Sequence, residues 1–413
     1  MRISMVSAHA SPLASMGGAD AGVRTMHVAA LGTALARRGH HVTVYTRREA
    51  PGLPERVEIS PRFEVVQLTA GPAASLTEIE SLPHMADLAD GLAKDWLRTK
   101  PDIVHSHFWM SGVAALDAAR RSDAPRDLPV AQSFHGLNVL SRRNEGTVET
   151  TPPERELLEP WVGHNSDSVI ATCSDEAFEV KSLGIPTGAI SVVPCGVDLR
   201  RFGTRGDAEA RLRPVRLVTV GTLEPRHGFD LVIRALAQLV EEGVDADLVI
   251  VGGRGDSDAA SIELRSLAEH LGVADRIDLC GSVAHAAMPA ILRSADAVIC
   301  TPWHEPSGRV VLEAMACGIP VVATAVGSHI DLVIDGVTGV HVPPRDPEAI
   351  ATALSCLLAD EARMASLGEA GSRWVAGRFT WEQVATRTER AYRKTSSRAK
   401  SRVAARSIEG ASR

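Results

Sequence analysis

The residues best placed to do chemistry form one string, Glu305-Pro306-Ser307-Gly308-Arg309-Val310-Val311-Leu312-Glu313. A strand pattern ends at Cys300 ahead of it, and Ser307-Gly308 open a helical pattern. Amides at such a helix N-terminus can hold phosphate or sugar oxygens. Glu313, further along the helix, is where a carboxylate can accept hydrogen bonds from a diol such as a ribose. Two Gly-bearing turns also sit between a strand and a helix: Gly17-Gly18-Ala19-Asp20-Ala21-Gly22 and Gly221-Thr222-Leu223-Glu224-Pro225-Arg226-His227-Gly228. Either could bring backbone close to an anion, the second with Arg226 and His227 nearby. The plainer reading makes the first an ordinary turn and leaves Arg226 and His227 as loop surface. Neither has the G-x-G-x-x-G spacing, so a dinucleotide fingerprint is absent. His135, in Ser133-Phe134-His135-Gly136, ends another strand; single histidines there are often structural.

The elements that must position these residues alternate in type. Arg2–Val6, Val42–Thr46, Phe63–Leu68, Ile103–His105, Val130–Phe134, Ser168–Thr172 and Ile190–Val193 read as strands, with helical patterns at Met26–Arg38 and Leu82–Arg98. After a polar break at Asp198–Pro214 the rhythm restarts. Strands are expected at Arg216–Val220, Asp247–Val251, Ile277–Cys280, Ala297–Cys300, Val321–Thr324 and Gly339–Val342. Helices at Asp230–Glu242, Ala259–Leu271, Ala286–Leu292, Gly308–Ala316 and Pro347–Leu358 separate them. Strand–helix–strand alternation means crossover units and parallel sheets. The α/β chain is therefore expected to form two doubly wound halves, with ligands outside the carboxyl ends of the strands.

Composition narrows the function classes. The 413 residues are 45% hydrophobic, 23% charged and only 4% aromatic, so the core must be aliphatic. A net charge of −7 argues against a broad nucleic-acid surface. No apolar run approaches the ~20 residues of a membrane helix, and Met1–Met16 reads as a first strand and loop, not a signal peptide. The cysteines lack a C-x-x-C pair and mostly sit in apolar runs, which suggests reduced, buried thiols and a cytoplasmic protein. Asp256-Ser257-Asp258 reads as a helix cap in preference to a metal-chelating D-x-D, and no metal ligand set is expected.

At this point the sequence resembles retaining glycosyltransferases of family 4. Glu305 and Glu313 match that family's E-x7-E motif. Pro101-Asp102-Ile103-Val104-His105-Ser106-His107 resembles its first-domain strand. Val193-Pro194-Cys195-Gly196-Val197-Asp198 with Phe202 resembles its join between domains, and Asp335-Gly336-Val337-Thr338-Gly339 with Val342-Pro343-Pro344 its close. Asp20-Ala21-Gly22 resembles the opening of the branch holding sucrose-phosphate synthases and the mycothiol glycosyltransferase. The resemblance implies the GT-B fold, two facing Rossmann-like domains with a cleft between them. Residues 1–198 would bind the acceptor and 199–378 the nucleotide sugar. A helix over 379–396 would pack back on the first domain, leaving 397–413 as a basic flexible tail.

The implied activity is transfer of a hexosyl group from a nucleotide sugar, most often a UDP-hexose, with retention and without metal or further cofactor. By the resemblance the catalytic residues are His135, Glu305, Arg226 and His227. Donor binding falls to Gly18, Gly22, Thr222, Ser307, Gly308, Arg309, Val310 and Glu313. The acceptor would be a small polar molecule, by analogy an aminocyclitol or another natural-product intermediate, as in antibiotic biosynthesis. Its pocket is expected in Leu137–Glu156, which carries Arg142, Arg143, Asn144 and Glu145. Neither nucleic acid nor an integral membrane segment is implied.

The chain also departs from the family. Thr222 stands where Arg is usual, His227 where Lys is usual, Val23 where Gly is frequent and Ser307 where Phe is common. Arg24 and Arg309 appear where the family is usually uncharged. The expectation is that Arg226, His227 and either Arg24 or Arg309 replace the missing phosphate-binding cations. The alternative is a catalytically weak relative that binds a nucleotide sugar or serves a partner subunit.

Overall fold

Runs of Val, Ile, Leu and Ala buried on both faces form the central strands of the computed structural model, which describes residues 1–13, 23–121, 128–145, 151–255 and 258–411 and holds fourteen strands among them. The chain divides into two compact units: Met1–Pro194 with Trp381–Arg413, and Cys195–Thr380.

The first unit holds β1 (Arg2–Val6), β2 (His41–Arg47), β3 (Arg56–Ser60), β4 (Phe63–Leu68), β5 (Ile103–His107), β6 (Val130–Ser133), β7 (Ser168–Ala171) and β8 (Ile190–Val192). They form one sheet in the order β3-β4-β2-β1-β5-β6-β7-β8. All neighbours are parallel except β3, which runs antiparallel to β4. Alternate residues of a strand enter separate cores, as the pleat requires. Val6, Tyr45, Val66 and Val104 pack into one; Met5, Val44, Val65 and Ile103 pack into the other. The first core takes the helices Met85–Thr99 and Trp109–Arg120, and the second takes Val23–Arg37.

The last helix, Trp381–Ala411, completes the second core through Val384, Ala385, Ala391 and Tyr392. Each of the larger buried side chains contributes roughly 1.5–3 kcal/mol. Polar ties fix its register: Glu389 accepts from Arg38 at 2.6 and 3.0 Å and lies 2.9 Å from His40 Nε2. Arg402 pairs with Asp167 at 3.0 Å, and Arg398 donates to the Asp167 carbonyl at 2.8 Å. These ties, with Ala399 buried, correct the expectation of a flexible tail from residue 397; the helix continues to Ala411.

The second unit holds β9 (Val215–Val220), β10 (Ala246–Val251), β11 (Ile277–Gly281), β12 (Ala297–Cys300), β13 (Val321–Thr324) and β14 (Val340–Val342). Its all-parallel sheet runs β11-β10-β9-β12-β13-β14. Strand order reverses between β9 and β12, so the loops leaving these two strands diverge and open a crevice at their carboxyl ends. In the first sheet the same switch lies between β1 and β5. All six cysteines are free, with Cys173, Cys195, Cys300 and Cys317 buried, Cys280 half-buried and Cys356 exposed. Among the described residues no helix is long and apolar enough to cross a membrane.

Candidate functional site

In the second unit, the loops after β9 and β12 bring the predicted donor residues to one end of the sheet. After β12 the chain passes Glu305 and enters the helix Arg309–Ala316 through Gly308. Glu305 Oε1 accepts from the Ser307 amide (2.9 Å), the Ser307 hydroxyl (2.8 Å) and the Gly308 amide (2.9 Å). Burial pushes its pKa up, but His329 and these three hydrogen bonds outweigh burial and hold it below the usual carboxylate range. This corrects one expectation: the Ser307 and Gly308 amides are already occupied, by the carboxylate that was to share the site with them. Gly308 has φ +61°, and a Cβ there would stand 2.2 Å from Leu332 Cδ1. Only glycine fits that entry.

Glu313 lies one turn inside the helix and is buried, its side chain 4% exposed. Its Oε1 is 2.8 Å from His285 Nε2 and 3.4 Å from Arg309 Nε. Arg309 is thus partly committed to Glu313, and Val310 occupies the helix's first turn. His285 also meets Arg201 at 2.7 Å and packs its ring 5.1 Å from Phe202. The sequence reading missed His285, which reaches Glu313 from a loop with no spacing pattern to mark it.

The loop after β9 carries Thr222, Arg226 and His227. Thr222 Oγ1 is 3.1 Å from His227 Nε2, and Arg226 Nε donates to Glu224 at 2.6 Å. Trp303 N donates to the Arg226 carbonyl at 2.7 Å, tying this loop to the one after β12. Burial, then the charge of Arg226, lowers the His227 pKa to about 4. With no anionic ligand beside it, His227 is therefore neutral at pH 7.

Asp258 stands at the N-cap position of Ala259–His270, but its Oδ2 accepts from the Arg254 amide at 3.1 Å and bonds no amide of that helix. Asp256 and Ser257, Gly18 and Gly22, and the Arg24 side chain lie outside the described residues.

In the first unit, His135 follows β6 with φ +58°, a left-handed conformation uncommon outside glycine, though histidine takes it more readily than most residues. Phe108, after β5, is also at positive φ, +68°. Strain of this kind is typical of functional sites. His135 Nε2 lies 2.8 Å from His107 Nδ1, and its ring is 4.8 Å from that of His27 and 4.9 Å from Phe108. One ring nitrogen from each of His27, His107 and His135 lies within 4.8 Å of the other two. Burial lowers His27 to about 4 and His107 well below its usual value, so both are neutral at pH 7. Of the expected acceptor segment, Asn138–Glu145 forms one helix and Arg155–Glu156 open another, Arg155–Asn165, with Arg142 paired to Glu156 at 2.8 Å and Arg143 to Glu179 at 2.5 Å. Asn144 Nδ2 donates to the Leu140 carbonyl at 2.8 Å.

Comparison with known proteins places the chain in a family. Residues 25–201 match the family described as Glycosyltransferase Family 4, and 204–374 match Glycosyl transferases group 1. The D-inositol 3-phosphate glycosyltransferase of Xylanimonas cellulosilytica is 35% identical over 404 residues, covering 93% of this chain and 94% of that protein. The structure of sucrose-phosphate synthase from Thermosynechococcus elongatus superposes with a TM-score of 0.84 at 28% identity, covering 95% of this chain and 98% of the other. HepE from Anabaena, solved with UDP-glucose, shares the fold at a TM-score of 0.70 and 19% identity, covering 96% of this chain and 100% of that one. With two parallel-sheet units of GT-B type and relatives matched along nearly its whole length, the chain belongs to glycosyltransferase family 4, in the branch of the D-inositol 3-phosphate glycosyltransferases and sucrose-phosphate synthases.

Proposed function

We propose that this glycosyltransferase moves a hexosyl group from a UDP-hexose to a small polar acceptor, retaining the anomeric configuration. The observation that carries the reading is the Glu305–Glu313 pair at one helix N-terminus, at the switch point between β9 and β12. There Glu305 orients the sugar hydroxyls and Glu313 takes the ribose diol. The first-turn amides of Arg309 and Val310 and the Arg309 guanidinium meet the diphosphate. In the first unit, His135 is the residue that handles the acceptor hydroxyl.

In this reading the leaving diphosphate accepts the acceptor proton as the new glycosidic bond forms on the same face. The protein then contributes positioning and stabilisation of charge on the leaving group, with no protein nucleophile. The nucleotide sugar is a co-substrate, and neither metal nor further cofactor enters the scheme.

One finding favours a second reading. Arg226 is bonded to Glu224, Arg309 is shared with Glu313 and His227 is neutral, so little uncommitted positive charge faces a diphosphate among the described residues. A slow or purely nucleotide-sugar-binding relative would have that character. Calorimetry with UDP and UDP-glucose, followed by an assay of UDP release, decides between them. Binding with release supports the transferase, binding without release supports the second reading, and no heat with any UDP-sugar overturns both.

A further inference from the structure

The segment 193–202, matched above only as a join between domains, carries a side chain that the scheme leaves unused. Asp198 turns the chain there. Its Oδ1 accepts from the Arg200 amide at 3.0 Å, and its carbonyl accepts from the Arg201 and Phe202 amides at 3.1 and 2.9 Å. The turn buries Phe202 and brings the exposed Arg201 to His285, with Nη1 2.7 Å from Nδ1. The Phe202 ring, 5.1 Å from the imidazole and tilted by 51°, packs against it and restrains its plane. These residues and Glu313 all belong to the second unit.

Both neighbours of His285 demand one protonation state. A guanidinium donates and never accepts, so Nδ1 must receive the Arg201 bond on a lone pair. The ring proton then sits on Nε2, which donates it to Glu313 Oε1 at 2.8 Å. A doubly protonated ring would set N–H against N–H at Arg201. The other neutral tautomer would also set a lone pair against the Glu313 carboxylate. Both side-chain contacts of Glu313, to His285 and to Arg309 at 3.4 Å, fall on Oε1. Among the described residues Oε2 takes no hydrogen bond and keeps its lone pairs for an incoming hydroxyl.

We propose that Arg201 and His285 are positioning residues for the donor's ribose. Arg201 selects the Nε2–H tautomer of His285, and His285 holds Glu313 by Oε1 so that Oε2 is kept for a vicinal diol. This rests on the assignment of Glu313 to the ribose above. A carboxylate fixed before the nucleotide arrives loses less freedom on binding, which raises affinity for ligands that carry the diol and for no others.

The test is calorimetry on the full chain with UDP and with 2′,3′-dideoxy-UDP, which lacks the diol. The wild-type chain should prefer UDP by about thirtyfold, the scale of a charge-assisted hydrogen bond. His285→Leu should cut that preference to roughly threefold by weakening UDP alone. His285→Gln should restore most of it, because its amide can accept from Arg201 and donate to Glu313. Arg201→Ala removes an exposed side chain that the fold does not need, and should lower the preference by about threefold. The proposal is overturned by an unchanged preference in either His285→Leu or Arg201→Ala, by equal weakening of both ligands, or by a glutamine that restores nothing. A preference that rises in His285→Leu also overturns it, since the imidazole would then be competing with the diol. A wild-type chain that binds both ligands equally strikes the ribose assignment itself, and the proposal with it.

Discussion

Glu305 Oε1 accepts the Gly308 amide at 2.9 Å, so the first carboxylate of the motif caps the helix that carries the second, Glu313. The same carboxylate is the one proposed to orient the sugar, which couples the site's shape to its chemistry. Glu305→Gln keeps an oxygen for capping but removes the charge. It should cost only about 1 kcal/mol of stability while lowering the rate of UDP release by roughly a hundredfold. Chemical denaturation and steady-state assays on the same preparation check this. Wild-type turnover in the variant would remove Glu305 from the reaction.

Gly308→Ala acts on the backbone. At φ +61°, with Leu332 and Ser328 against the new Cβ, the helix entry must shift. A loss of about 2–3 kcal/mol is expected from strain and overpacking together. A urea midpoint indistinguishable from wild type would show that the loop yields freely.

Arg226 and Arg309 separate the ways of meeting a diphosphate. Arg309, 20% exposed at its side chain and beside Glu313, should lose at least tenfold in kcat when changed to Ala. Arg226→Ala should lose less, because its guanidinium is already balanced by Glu224. Single-turnover kinetics of both variants checks this, and unchanged rates in both would exclude either cation from the transition state.

Acid stability of the first unit has two windows. His27 has its pKa lowered by burial from 6.5 to about 4, so the unfolded chain binds more protons between those values. Stability is then full above pH 6.5 and falls as pH drops toward 4. Glu389 is depressed from 4.5 to about 2, chiefly by its hydrogen bond from Arg38, so its contribution is present above pH 4.5 and is lost on descent toward 2. His27→Gln should reduce the fall of the thermal midpoint between pH 6.5 and 4, leaving the share carried by the buried His105 and His107, without altering the lower window. Glu389→Gln should lower the pH 7 stability by about 2 kcal/mol and flatten the lower window instead.

Much of this was legible in the sequence because parallel strands buried on both faces, such as Ala297–Cys300 and Val321–Thr324, leave continuous aliphatic runs. β3 escaped because Arg56–Ser60 is half-exposed and carries Arg56 and Glu58. Arg155–Asn165 escaped because Pro160 lies inside it, and Trp109–Arg120 because it is apolar nearly all round and shows no stripe. The tail read as unstructured because Ser, Lys and Arg dominate it, yet its arginines reach Asp167 on the sheet. At the site, the spacing of Glu305 and Glu313 was visible in one continuous segment. His285 against Glu313 and Arg201 against His285 were not, because folding alone brings such distant positions together.

The return of Trp381–Ala411 to the first unit has a consequence for biosynthesis. Cys195–Thr380 is one uninterrupted segment, complete before the last helix leaves the ribosome. The amino-terminal sheet, made first, must wait for the last-made helix to cover Val28 and Leu35. Premature termination near residue 380 would therefore damage the part of the protein synthesised earliest and spare the part synthesised just before the stop.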